Sequence, residues 1–234
     1  MNFLPKTGSP GSHSANHTMG LLLGTVVAIL LGGCGFMRPQ EDPTRFYVLS
    51  AAHFATGPVE ESGRKRLLVG LKPVELPRYL QGRSMVVRTG TNEIQFAEFD
   101  RWAEPLDQAI SQVMKENLGH APNVAGVAVN SHGDGSLDCE VAIRVLSCEG
   151  VRVANGGGSV RFEATWEVRP VGTNSVAAKR GGFIAEAVAW DGKDYGQLAG
   201  RLSEAMAAAA NAIVADLPAI ATSPSAETRA TAKP

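Results

Sequence analysis

Two stretches decide the fold: Leu137–Val145, LDCEVAIRV, and Val160–Val168, VRFEATWEV. In the first, Leu137, Cys139, Val141, Ile143 and Val145 share one parity, while Asp138, Glu140 and Arg144 take the other. In the second, Val160, Phe162, Ala164, Trp166 and Val168 alternate with Arg161, Glu163, Thr165 and Glu167, and Arg169 continues the polar parity. Successive side chains of a strand point to opposite faces. A period of two with one charged parity therefore predicts half-buried strands of an antiparallel sheet. Gly156-Gly157-Gly158 predicts the turn between them, since no helix and no Lys-Ser/Thr follows to make a phosphate cradle. Phe183–Trp190 predicts a third strand.

Upstream, Phe46–Leu49 is a short strand and Leu67–Leu71 a buried one. Lys72–Leu80 continues extended, but Pro73 and Pro77 cannot donate ladder hydrogen bonds, which predicts an edge strand or a surface loop. Met85–Arg88 and Ile94–Phe96 flank TGTNE, a hairpin turn. Asp100–Pro105 then predicts a helix opening, with Asp100 as N-cap. Leu106, Ile110, Val113, Met114 and Leu118 fall on one face of that helix, and Gly119 with Pro122 ends it. A second helix starts at Asp194 with Gln197 three residues on, like a capping box. Its apolar stripe is Tyr195, Leu198, Leu202, Met206, Ala209, Ile213 and Leu217, and Pro218 stops it. The expected fold is α+β, an antiparallel or mixed β-sheet with two amphipathic helices packed on it, in one domain over 46–218.

The N-terminal region has a different character. Residues 1–20 are polar, with Lys6 as their one formal charge, and Leu21–Leu31 is an uncharged run of eleven residues. As a helix this run is roughly 16 Å long, about half a bilayer core, which fits a signal-peptide apolar region. Leu31-Gly32-Gly33-Cys34 follows and resembles the lipobox of bacterial lipoproteins. Small residues let a peptidase hold extended backbone, and the thiol accepts diacylglycerol. The expectation is a signal peptide over 1–33, starting at Met1 or Met19, and a mature N-terminus at Cys34 bearing diacylglycerol and an N-acyl chain such as palmitate. Residues 34–45 form a tether and 219–234 a disordered tail. Gly35 stands where lipoproteins kept in the inner membrane carry Asp, so the resemblance implies the periplasmic face of the outer membrane.

Composition removes several function classes. The chain has 234 residues with 22 Lys and Arg against 23 Asp and Glu. Losing Lys6 with the signal leaves 21 against 23, a net charge of −2. That balance gives no electrostatic footprint for nucleic acid. Cys34, Cys139 and Cys148 are too scattered for a disulfide framework. Nine residues of strand separate the last two by ~30 Å, and parity puts them on opposite faces unless a bulge intervenes. His53, His120 and His132 each stand alone, so no metal ligand set emerges. No G-x-S-x-G is present, HGDG at 132–135 reads as a turn, and Glu98, Asp100 and Glu104 surround a helix start where negative charge suits the dipole. The residues indicate no enzyme and no cofactor beyond the lipid on Cys34.

One segment is distinctive: Leu76–Leu106, LPRYLQGRSMVVRTGTNEIQFAEFDRWAEPL. Leu76-Pro77, Tyr79-Leu80, Arg88, Ile94, Glu98 and Arg101 through Leu106 resemble the signature of the PqiC/YmbA-like family, auxiliary lipoproteins of ABC-type intermembrane transport. The early FYVL, the strand pair near Trp166 and the DYGQL helix start extend that likeness over most of residues 34–218. The resemblance implies a non-catalytic accessory of an ABC/MCE-type lipid transporter, docking an MCE-domain partner at the outer membrane, with homo-oligomers an option. Pro77, Tyr79, Leu80, Arg88, Arg101 and Trp102 are the candidate partner-binding residues. The structural readings stand beside these: Trp102 and Leu106 as core at helix spacing, and Arg101 ion-paired with Glu98 or Glu104. The alternative function is a stand-alone periplasmic lipoprotein binding a lipid or small apolar ligand.

Overall fold

A computed structural model describes residues 41–51, 66–129, 137–153, 156–172, 177–185 and 187–218. Cys34, the signal segment, His53, the HGDG stretch and the tail from 219 lie outside the described residues. The chain divides into Met1–Pro43 and Thr44–Pro234, and the second unit carries the elements that follow. In chain order these are β1 Arg45–Tyr47, β2 Leu67–Leu71, a 3₁₀ turn Arg78–Leu80, β3 Ser84–Gly90, β4 Glu93–Trp102 and α1 Leu106–Gly119. After them come β5 Val124–Val129, β6 Cys139–Arg152, β7 Gly158–Pro170, β8 Lys179–Ile184, β9 Val188–Trp190 and α2 Tyr195–Asp216.

The alternating stretches are β6 and β7, paired antiparallel from Cys139↔Pro170 to Arg152↔Gly158. Residues 156 and 157 of the glycine turn take φ of 82° and 74°, a left-handed backbone that glycine adopts without a Cβ penalty. The other edge of β6 is shared end to end. β2 pairs with its start in parallel (Val69↔Cys139 to Leu71↔Val141), Glu75 bridges to Arg144, and β3 pairs with its end (Val87↔Gly150, Arg88↔Val151). β5 lies parallel outside β2, and β4 and then β1 lie outside β3. The sheet is mixed, as the α+β reading allowed. The stretch read as one strand over Phe183–Trp190 is two separate pieces, β8 and β9, both hydrogen-bonded to β7.

One expectation is overturned. Asp100–Trp102 is strand rather than helix opening, and α1 begins at Leu106 with Pro105 at the cap. The cause is non-local: β1 arrives from 55 positions earlier and pairs Arg45↔Asp100, Phe46↔Arg101 and Tyr47↔Trp102 in parallel. Asp100 caps nothing, because its carboxylate accepts from the Tyr47 hydroxyl at 2.9 Å. The Lys72–Leu80 stretch is a crossing segment, held by the Glu75 bridge and closed by the 3₁₀ turn.

Both helices pack as their stripes predict. Leu106, Ile110, Met114 and Leu118 are buried in α1, which lies against β5 and α2. Leu198, Leu202, Met206 and Ile213 are buried in α2, which covers β7 and β8. The Asp194 carboxylate accepts from the Gly196 and Gln197 amides at 2.8 and 3.0 Å. Gln197 reaches back to the Asp191 amide rather than to Asp194 itself, so the box closes one turn wider than expected. At the far end, Asp216 accepts from the Trp166 indole at 2.9 Å and pairs with Lys179 at 2.7 Å, pinning the helix to β7 and β8.

Replacing Asp194 with Ala removes both cap acceptors. Urea unfolding of Asp194→Ala should show about 1 kcal/mol lower stability with an unchanged denaturant slope. Asp194→Asn should recover most of it.

Candidate functional site

The site begins with a one-residue irregularity. Val145 pairs with Ala164 but Ser147 pairs with Glu163, so β6 carries one extra residue there. Without this bulge, strand parity would aim Ser147 and Glu149 at the helices. With it, Cys148 and Gly150 sit beside Phe162 and Val160 on the core side, while Glu149 sits beside Arg161 on the outer face. Residue 150 has to be glycine, since a Cβ there would lie 2.6 Å from the Trp190 ring. Cys139 and Cys148 are both buried free thiols. Burial pushes both thiols up, Cys139 to about 11, which keeps them protonated and unreactive.

Over this outer face runs the crossing segment from Glu75 to Arg83. Leu80 is buried beneath it, Tyr79 half-buried, and the Glu149 side chain has no exposed surface. Glu149 is paired with Arg88 of β3, Nε to Oε1 at 2.6 Å, and Arg88 also donates to the Thr91 carbonyl across the hairpin. The hydrogen bond to Glu149 raises the Arg88 guanidinium further above its ordinary range. The Tyr79 phenol is pushed up to about 12, by burial first and then by the Glu149 carboxylate. Residues from three separate elements thus converge on one buried ion pair.

The six expected partner-binding residues divide by face. Arg88 pairs with Glu149 and Tyr79 lies against that pair, while Pro77 opens the 3₁₀ turn that carries Tyr79. Arg101 lies further along the same face, exposed, and forms no ion pair with Glu98 or Glu104 among the described residues. Leu80 and Trp102 are core, 2% and 3% exposed, so they support the surface from below and do not form it. Trp102 reaches the core from a strand, not from a helix. β4 carries three extra residues between its pairings Val86↔Phe96 and Ser84↔Arg101, which brings Phe96 and Phe99 out beside the motif residues, 52% and 40% exposed.

Beyond the motif, Tyr47, Trp190 and Tyr195 form an aromatic group at the entry of the chain. Ring centroids are 6.4 Å apart for Tyr47–Tyr195 and 5.7 Å, edge to face, for Trp190–Tyr195. Burial and the bond to Asp100 push the Tyr47 phenol up to about 12. A separate, half-open cleft lined by Lys72, Glu140, Ala142, Glu167 and Arg169 has room for about 30 Å³. Lys72 pairs there with Glu140, and Glu167 with Arg169 and Arg180. Among the described residues no His, Cys, Asp or Glu cluster could hold a metal ion, and no helix is long and apolar enough to cross a membrane.

Sequence reasoning did not find Glu149. Its signal was indirect: a carboxylate on the apolar parity of a strand demands either a bulge or a buried cation.

Removing one partner of the pair strands a buried charge. Arg88→Met should cost roughly 3 kcal/mol, the low end for such a loss because the Arg88 head still touches water. The Arg88→Met/Glu149→Met double variant should regain most of that, as read by urea unfolding. Both perturbed phenols ionise late in the folded state. Their stabilisation is complete below the ordinary tyrosine pKa of 10.0 and is lost as pH rises toward about 12. Tyrosinate absorbance should show Tyr47 and Tyr79 titrating in that window together with unfolding.

Comparison with known proteins meets this geometry. The family model for the ABC-type transport auxiliary lipoprotein component matches residues 47–214. The intermembrane transport lipoprotein PqiC of Escherichia coli K12 is 28% identical over 126 residues, 54% of this chain. The PqiC of Shigella flexneri matches equally. The matched part spans 64% of those relatives' length. Among solved structures, protein XCC0632 of Xanthomonas campestris superposes with a TM-score of 0.58 at 16% identity, over 73% of this chain and 93% of the other. An uncharacterised protein gives 0.55 at 22% identity, over 75% and 99%. These two share the fold. The family match covers the sheet, both helices and the motif surface alike, and the chain belongs to the family of ABC-type transport auxiliary lipoprotein components.

Proposed function

We propose that this protein is a non-catalytic accessory of an ABC/MCE-type intermembrane lipid transporter. It is anchored by acylated Cys34 on the periplasmic face of the outer membrane, where it docks an MCE-domain partner. The observation that carries this reading is that Tyr79 and Arg88 of the Leu76–Leu106 motif meet at the buried Glu149 carboxylate on one outer face, while Leu80 fills the core beneath them. The Arg88–Glu149 pair joins β3 to β6 beside Tyr79, and a surface backed by paired strands lowers the ordering cost of binding a partner. Tyr79 and Pro77 form the contact, Arg88 positions it, and Leu80 supports it.

The competing reading, a stand-alone lipid carrier, needs an apolar cavity of several hundred Å³. Among the described residues, the half-open cleft beside Lys72 and Glu167 is lined mainly by charged side chains and does not have that chemistry. The affinity-tagged full chain, solubilised from the membranes of its own host, should enrich an MCE-domain protein. Tyr79→Ser combined with Pro77→Ser should reduce that enrichment about ten-fold, the loss of roughly 1.4 kcal/mol, with the fold unchanged by circular dichroism. Failure of the unmodified chain to enrich any such protein rejects the reading.

A further inference from the structure

We infer that the solvent face carrying Phe46, Phe99 and Arg101 is a bilayer contact, resting on the headgroup layer of the membrane that holds the acylated Cys34. This inference depends on the lipid-anchor reading of Cys34.

The face is defined by alternation and register. In β4, Phe99 and Arg101 are exposed while Asp100 and Trp102 are buried, and β1 places Phe46 directly beside Arg101. Phe46 is 60% exposed, and Val48, just beyond β1, is 58% exposed. Two phenylalanines and a valine on one exposed edge are surplus to the core, which is complete beneath them in Trp102, Leu106 and Met85. Exposed apolar groupings with a polar rim mark contact surfaces.

Three considerations select the bilayer as the occupant. The first is reach. Residues 35–44 span at most roughly 35 Å when extended and about 17 Å as a flexible coil, and they end at β1. The chain enters the fold at β1, so the face beside β1 adjoins the tether's point of entry, and a tether of this length gives an effective concentration on the order of millimolar, where weak affinity suffices. The second is chemistry. Phenylalanine is among the side chains that an interfacial surface buries at the headgroup–acyl boundary, and an arginine without a carboxylate partner among the described residues matches a lipid phosphate. The neighbouring Arg45 is already held by Asp100 at 3.1 Å. The third is size and symmetry. A few side chains fall well short of the ~800 Å² per partner of a stable protein interface. A two-fold pairing of this face would also bring Arg101 toward its own copy.

The test uses the full acylated chain in vesicles of phosphatidylethanolamine and phosphatidylglycerol, with and without brominated acyl chains. Phe46→Trp reports on the face, and Ile184→Trp, on β8 and 68% exposed, reports on a site away from it. The buried Trp102, Trp166 and Trp190 add a background common to both. Phe46→Trp should be quenched at least about two-fold more than Ile184→Trp, with a blue-shifted emission, as interfacial aromatics are. Equal quenching on vesicles that demonstrably carry the protein overturns the inference and leaves the anchor standing. A blue shift that grows with protein concentration but not with lipid assigns the face to a second copy and overturns it as well. A chain whose mass lacks the acyl group overturns both. Phe46→Ser/Phe99→Ser, which leaves the core untouched, should abolish protection of β1 amides from hydrogen exchange on vesicles while acylation persists.

Discussion

Fourteen residues of β6 must satisfy backbone partners on both edges, and the rest of the fold follows from how they do so. One edge is answered by a single hairpin partner, β7, along its whole length. The other edge is too long for either β2 or β3 alone, so these strands meet it in succession, with the Glu75 bridge closing the gap. That gap is crossed by a segment carrying Pro73 and Pro77, which cannot pair continuously. The segment therefore crosses the outer face, and the motif residues come to lie there. Unpaired backbone in a buried setting costs more than a short irregular crossing, which explains why the detour persists.

How far the sequence disclosed this depended on the range of the interactions. The alternation in Leu137–Val145 and Val160–Val168 was visible because strand parity is local, and so were the α1 and α2 stripes and the Asp194 cap. Asp100–Trp102 was misread because its local signals do suit a helix start. The partner that makes it a strand lies 55 positions earlier. The bulge after Val145 showed only indirectly, through a carboxylate at 149 on the apolar parity, and Glu149 stayed hidden with it. Of the candidate contact residues, Tyr79 and Arg88 were found through the family motif, and only the structure shows that they converge on Glu149. Leu80 and Trp102 belong to the same motif for a different reason, since they fill the core beneath it.

A buried ion pair is weak evidence for stability, and its meaning here lies in the elements it joins. Here the pair ties β3 to β6, and Arg88 also grips the β3–β4 turn through the Thr91 carbonyl. The half-buried Tyr79 ring rests against this group, so the surface is positioned by strands and not by a mobile loop. The charged cleft near Lys72 is built differently. Its cations are exposed and share two carboxylates, Glu140 and Glu167, among three basic side chains, which leaves a surface network open to solvent.

The parallel pairing of β1 with β4 also has a mechanical meaning. Any pull transmitted through the segment before Arg45 enters the fold at a strand of three residues. That load is borne by a short ladder, the Tyr47–Asp100 hydrogen bond and the Tyr47–Tyr195 ring contact. The thirteen paired positions of β6 and β7 lie beyond it and are not on the line of force. A pull on that segment loads β1 before the longer ladders, so the strand that leads the chain into the sheet is also the one with the fewest paired positions to hold it. The domain carries a mechanical fuse where the chain enters it.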